Sequence, residues 1–205
     1  MKNKEETKRR LINAVGEILK TEGHAALGVN NIARKAEVNK KLIYRYFQNV
    51  NGLIEAYVVE RDYWMIFFNK MKETLPHENL SSSKELITSI LQNQFKFFLS
   101  EPEMQKLILW EISEDNPLMR SIHNARESMG QGLLQLSDKH FESSKVNFRA
   151  IAALLVGGIY YSVLHTRYNG GVICDIDINS EQGKIEIIKA LDQIVGWAYE
   201  NEKKQ

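Results

Sequence analysis

A chain of 205 residues that is 43% hydrophobic and 26% charged is long enough to bury a sizeable core and has the balance of an ordinary globular protein, which excludes a disordered or low-complexity polymer. Its net charge of +1 is unevenly placed: residues 1–50 hold eleven Lys and Arg against five Glu, hence +6, and the remainder sixteen against twenty-one acids, hence −5. Cys174 is the one cysteine, so no intrachain disulfide can form, and only three prolines suit a nearly all-helical fold.

From the amino end, residues 1–7 are polar and are expected to form a frayed arm, with Lys2, Lys4, Lys8, Arg9 and Arg10 near phosphate reach or simply a loose charged tail. A first helix is predicted to about Thr21, with Leu11, Ala14, Val15, Ile18 and Leu19 inward and Gly23 ending it. Two short helical patterns then meet between Val29 and Phe47. In the first, Val29, Ile32, Ala33 and Ala36 make one apolar face. The two alanines are small enough for helices to cross steeply over a three- or four-residue turn. The second is expected to start at Asn39, a good cap, and to bury Val38, Ile43 and Phe47. Lys40, Lys41, Leu42, Tyr44, Arg45 and Tyr46 then point away from the core, and Gly28, Asn30 and Asn39 flank them. Such a face fits a major groove: Arg bonds guanine bidentately, Leu touches a thymine methyl, and Lys or Tyr holds phosphate. A merely solvated face explains the same residues, and the pattern alone leaves both accounts open.

The run from about Lys8 to Ile54 resembles the DNA-binding domain of the tetracycline-repressor (TetR/AcrR) family of bacterial transcriptional regulators. Arg10, Leu11, Ile12, Ala14 and Ile18 match, then Gly23, Ile32, Ala33, Val38, Ile43, Tyr44, Tyr46, Phe47 and Leu53. The likeness covers the first quarter of the chain; beyond it only length and helical layout are similar. Three positions depart from the family pattern. Gly28 replaces a hydroxyl residue that caps a helix and holds a phosphate, a loss of a few tenths of a kcal/mol plus one contact. Glu37 stands where the family turns on Gly; if left-handed, it costs roughly 1 kcal/mol and brings a carboxylate near DNA. Val50 replaces a phosphate-anchoring Lys, for which Lys40 and Lys41 can compensate.

Further along, one long helix is predicted from Leu53 to Leu75, stopped by Pro76, with Ala56, Val59, Tyr63, Trp64, Phe67, Phe68 and Met71 apolar around more than one face. It is expected to link head and body mechanically. After a loop over residues 76–83, Ser82 and Glu85 have capping-box spacing for a helix to about Leu99. A short helix through Met104, Leu107, Ile108 and Trp110 stops before Pro117, and another reaches about Phe141 with Leu118, Ile122, Met129, Leu133, Leu134 and Leu136. The family resemblance implies a cavity for a lipophilic effector, lined by Trp64, Phe67, Phe68, Phe95, Phe98, Trp110 and Met129, with Glu111, Glu114 and Asp115 selecting a cation or simply solvated. Ordinary core filling accounts for the same aromatic residues.

The last two helices, about Ser144 to Tyr168 and Ser180 to Glu202, read as a dimer interface. Ala153, Gly157, Tyr161 and Leu164 on one, and Ile187, Leu191, Ile194 and Ala198 on the other, would form a four-helix bundle about a two-fold axis. Between them Val172, Ile173 and Ile176 are expected to tuck in, with a short strand permitted.

No catalytic constellation emerges: the five histidines are scattered, Cys174 has no activating neighbour, and neither GxGxxG nor GxxxxGK[ST] occurs. No metal site, cofactor or enzyme activity is expected. The amino end has no signal-peptide pattern, and the apolar run from Ala150 to Leu164 is shorter than the roughly 20 residues of a bilayer span, so a cytoplasmic protein with no membrane partner is expected. The expected architecture is all-α, about nine helices, with a helix-turn-helix domain over 1–52 and a regulatory and dimerisation domain over 53–205. The expected function is a homodimeric, effector-responsive repressor on palindromic double-stranded DNA. The alternative is a helical small-molecule-binding or interaction module whose reading head is weakened.

Overall fold

A computed structural model describes residues 2–67 and 83–201. Among them the chain is helical without strands: α1 (Lys2–Thr21), a 3-10 turn (His24–Ala26), α2 (Val29–Lys35), α3 (Lys41–Phe47), α4 (Val50–Arg61), α5 (Ser83–Ser100), α6 (Pro102–Ser113), α7 (Pro117–Phe141), α8 (Phe148–Asn169) and α9 (Glu181–Glu200). Residues 63–67 are also helical. The chain divides into two compact units, one of residues 1–70 and 102–127, the other of residues 71–101 and 128–205.

The first unit closes over Leu11, Val15, Ile18, Leu19, Ile32, Ile43, Leu53, Val58 and Leu107, all fully buried. Burying each such side chain stabilises the fold by about 1.5–3 kcal/mol. Ala33 and Ala36 are buried at the crossing of α2 and α3, as their size requires. The expected frayed arm is instead the first two turns of α1, where the Thr7 hydroxyl bonds the Asn3 carbonyl at 2.6 Å. Val38 and Phe47 are half-buried, so Ile43 alone anchors α3 completely.

The predicted single helix from Leu53 is two. α4 begins earlier, at Val50, capped by the Asn49 side chain, which accepts from the Gly52 amide at 2.9 Å. It ends at Arg61 because Asp62 turns extended (φ −67°, ψ 132°) and its carboxylate accepts from the amides of Trp64 (3.0 Å) and Met65 (3.2 Å). A side chain that caps the next turn competes with continuing the last one. The predictions on Phe68, Met71, the stop at Pro76, the loop over 76–83 and the Ser82 cap fall on residues outside those described.

In the second unit Ile90, Phe95, Phe98, Ile159, Val163, Ile178, Leu191 and Val195 form the core. α8 starts later than expected, at Phe148 behind the Asn147 cap, and α9 starts behind Ser180, whose hydroxyl accepts from Gly183 at 3.0 Å. The permitted strand is only a bridge between Ile173 and Ile176, across Cys174 (φ 49°) and Asp175 (φ 60°). Val172, expected inside, is 51% exposed, and Ile178 is the buried residue of that loop. Leu136 of α7 is likewise exposed.

The apolar run lies in α8, a helix of 22 residues that is, by length and composition alone, apolar enough to cross a membrane, against expectation. Leu155, Ile159, Val163 and Leu164 nevertheless pack one of its faces into the second unit, while Ala153, Leu154, Gly157, Gly158 and Tyr161 leave the other exposed.

Candidate nucleic-acid interface

α3 stands on the head like a ridge. Ile43 pins it from beneath, and Lys40, Lys41, Tyr44 and Arg45 are exposed along the outer face, with Leu42 and Tyr46 half-buried at its flanks. α3 starts later than expected, at Lys41 behind Lys40, and the Asn39 side chain accepts from the Lys41 amide at 2.9 Å in the turn before it. Gly28, exposed and extended, precedes α2 with no side-chain cap. Asn30, the second residue of α2, holds the Lys40 ammonium at 3.3 Å and so steadies one of the cations. Lys4 of α1 lies 6.0 Å from the Tyr46 ring, as does the Arg45 guanidinium, so the unexpectedly helical amino end adds positive charge beside α3.

Two backbone features hold this ridge. Glu37 is left-handed (φ 52°) in the turn between α2 and α3. Arg10 bonds both its carbonyl and its carboxylate, each at 3.2 Å, which keeps the acid turned onto α1. Gly52 lets α4 touch the end of α3: a Cβ there would lie 2.3 Å from the Phe47 carbonyl oxygen. Neither Gly52 nor the left-handed Gln48 (φ 68°) before it is signalled by helical periodicity.

α6 and the first turns of α7 belong to the same unit, and α6 braces α1. Lys106 donates to the Lys20 carbonyl at the end of α1 (2.6 Å), a cation where the helix dipole favours one. His24 stacks on Trp110 with centroids 4.9 Å apart and planes 9° apart. Glu114 joins them, taking His24 Nε2 at 2.9 Å on one oxygen and the Trp110 indole N–H at 2.9 Å on the other. The hydrogen bonds from His24 and Trp110 hold the Glu114 carboxyl below the usual carboxylate range. Deeper in, buried Arg126 bonds the buried carboxylate of Asp62 (Nε to Oδ2, 2.9 Å) and also that of Glu111, which a 3.3 Å contact joins to His123. A cationic side chain on the buried Met119–Ile122 face of α7 is the one sequence signal of this cluster.

The residues expected to line an effector cavity are divided. Trp64, Phe67, Trp110 and Glu111 lie in the first unit and Phe95, Phe98 and Met129 in the second; Phe68 is outside the described residues. Trp110 and Glu111 are committed to the His24 and Arg126 clusters, and Glu114 to His24, while Asp115 pairs with Arg120 at the surface. Phe95 lies at the edge of an open groove of about 500 Å3 with Lys96, Leu99, Arg167, Lys184 and Ile188. Of the expected dimer residues, Ala153, Gly157 and Tyr161 are exposed and Ile187 and Ile194 partly so; Leu164, Leu191 and Ala198 are buried within their own unit. Leu154 (77% exposed) and Trp197 (53%) are large apolar side chains on the same two helices that the stripe pattern missed. No group of metal-ligating side chains is present among the described residues.

Residues 11–57 match the model of bacterial regulatory proteins, tetR family. No curated protein matches the chain. In fold, the chain is similar to the transcriptional regulator FadR from Bacillus subtilis in complex with stearoyl-CoA (TM-score 0.68, 17% identity, 91% of this chain and 96% of that one). It is also similar to the fatty acid degradation regulator FadR from Bacillus halodurans (0.66, 17%, 92% and 94%) and to a TetR family transcription regulator from Marinobacter aquaeolei VT8 (0.64, 16%, 98% and 98%).

Proposed function

From the match of residues 11–57 to the tetR family of bacterial regulatory proteins, we propose that this chain is a homodimeric, ligand-responsive transcriptional repressor of that family. The observation that carries the reading is the α3 ridge, with Lys40, Lys41, Tyr44 and Arg45 exposed over a fully buried Ile43. Residues 1–52 serve as the reading head and 53–205 as the regulatory and dimerisation part. Two ridges, roughly 34–36 Å apart, enter successive major grooves of a palindromic operator. Lys40, Lys41 and Tyr44 hold phosphates, and Arg45 reads a base. Ala153, Leu154, Gly157 and Tyr161 of α8 with Ile194 and Trp197 of α9 pair the subunits.

The effector is an acyl compound, by similarity to a relative of like fold that binds stearoyl-CoA. It releases DNA to the extent that it prefers a subunit arrangement other than the DNA-bound one. Fluorescence anisotropy with the DNA upstream of the protein's own coding region tests both halves. Binding should weaken steeply with salt, because phosphate neutralisation releases counterions, and stearoyl-CoA should reverse it. Binding indifferent to salt, or none, counts against the reading. The uncapped Gly28 and left-handed Glu37 favour one other account, a helical binding module with a weakened head; it predicts acyl binding with no preferred DNA sequence.

A further inference from the structure

Gln94 sits in the middle of α5, and its side chain is buried with neither amide atom hydrogen-bonded among the described residues; it is 1% exposed. By helical spacing it shares a face with Ile87, Ile90, Leu91 and Phe98, all of them buried. Phe98, one turn on, lies edge-on to Tyr160 of α8 at 4.8 Å. An amide offers two donors and two acceptor sites, and leaving them unmet in an apolar interior destabilises the fold. Met has the same reach and an equal helix propensity, and would carry no such cost. A buried amide without a partner in its own chain calls for one from outside it.

The rest of the unit's interior limits what that use can be. Its other buried polar side chains are Thr88, Ser137 and Thr166, all uncharged. Ser137 donates to the Leu134 carbonyl, and Thr166 to those of Ser162 and Val163. Among the described residues of this unit no charged side chain is buried. A charged group carried in would therefore go uncompensated, at a cost well above that of a neutral one.

We propose that Gln94 is the recognition residue for a neutral polar group, a carbonyl or carboxamide, on an otherwise apolar acyl ligand. The group accepts from the Gln94 amide N–H or donates to its oxygen, and any charged part of the ligand stays outside the interior. The proposal rests on the reading that this unit takes an effector, and it narrows the class to acyl esters, thioesters and amides over free fatty acids.

Calorimetric titration of the full chain and of Gln94→Met with methyl decanoate, decanamide and decanoate tests it, alongside melting temperature and DNA anisotropy of both proteins. The expected outcome is that Gln94→Met melts roughly 2–4 °C higher and binds DNA as before. Its affinity for the ester and amide falls about tenfold, the loss of one buried hydrogen bond, while decanoate binds the unsubstituted chain at least about tenfold more weakly than decanamide does. A lower melting temperature, showing that the amide is already satisfied within the fold, overturns the proposal. So do equal affinities for the two proteins, decanoate binding as tightly as decanamide, or no binding by any of the three. Failure of the unsubstituted chain to bind DNA tells instead against the regulator reading, and leaves the ligand titrations to decide the role of Gln94.

Discussion

On the proposed reading, Arg45 and Glu37 act on DNA binding in opposite directions. Arg45 is exposed on α3 with its guanidinium 6.0 Å from the Tyr46 ring; Arg45→Ala should weaken operator binding by about 1–3 kcal/mol and relax preference at one base position. Unchanged preference across single-base variants of the operator, measured by competition, removes Arg45 from base reading. Glu37 holds a left-handed turn at a cost of roughly 1 kcal/mol, and its pairing with Arg10 is exposed and stabilises by at most about 1 kcal/mol. Glu37→Gly should therefore leave the melting temperature nearly unchanged and tighten DNA binding, since a carboxylate near the phosphates is gone; weaker binding would show that the Arg10 clasp is needed to hold the turn. Much of this ridge was legible in sequence, because basic and phenolic residues at helical spacing around a lone Ile betray a two-sided helix. Gln94 was not: a polar residue between apolar ones looks solvent-facing until its burial is known.

At the level of helices, contacts between distant segments brace the head, and periodicity could not foresee them. α4 stops at Asp62 with neither Pro nor Gly there, because the Asp62 carboxylate caps the following turn and is itself held by Arg126, sixty-four positions away. Arg126→Met should cost roughly 3–5 kcal/mol by stranding two carboxylates, and adding Asp62→Asn should recover part of the loss, as urea midpoints would register. A single-variant loss below about 1 kcal/mol would mean that the cluster is solvated. Gly52→Ala forces α4 off the Phe47 carbonyl and should cost about 1–3 kcal/mol as an overpacked contact; an unchanged melting temperature would rule out that close approach. The His24–Trp110–Glu114 cluster adds a pH signature. Folding lowers the pKa of Glu114, so its contribution is present above the ordinary carboxylate value and lost as pH falls through the lowered one. Glu114→Gln should therefore shallow the loss of stability between about pH 6 and pH 3, whereas an identical acid limb would remove Glu114 from the brace.

For the whole molecule, the proposed function requires two heads at a fixed separation. The charge asymmetry along the chain marks a basic amino end, and the small residues of α8 are the sequence basis for the proposed contact between subunits. The split of that stripe between core and surface was not legible, because Leu164, Leu191 and Ala198 follow the same apolar spacing as the exposed residues and only packing tells them apart. Gly157 has open space where a side chain would project, so Gly157→Glu should leave each subunit folded, with an unaltered helical spectrum, yet sediment as a monomer; a dimer that survives it places the interface elsewhere. The most direct measurement is selection from random DNA by the full-length protein. The account predicts an inverted repeat whose half-sites are centred about one helical turn, or 10–10.5 base pairs, apart, with Gly157→Glu losing the repeat. Enrichment of a single half-site by the unsubstituted protein, or of no sequence at all, would contradict it.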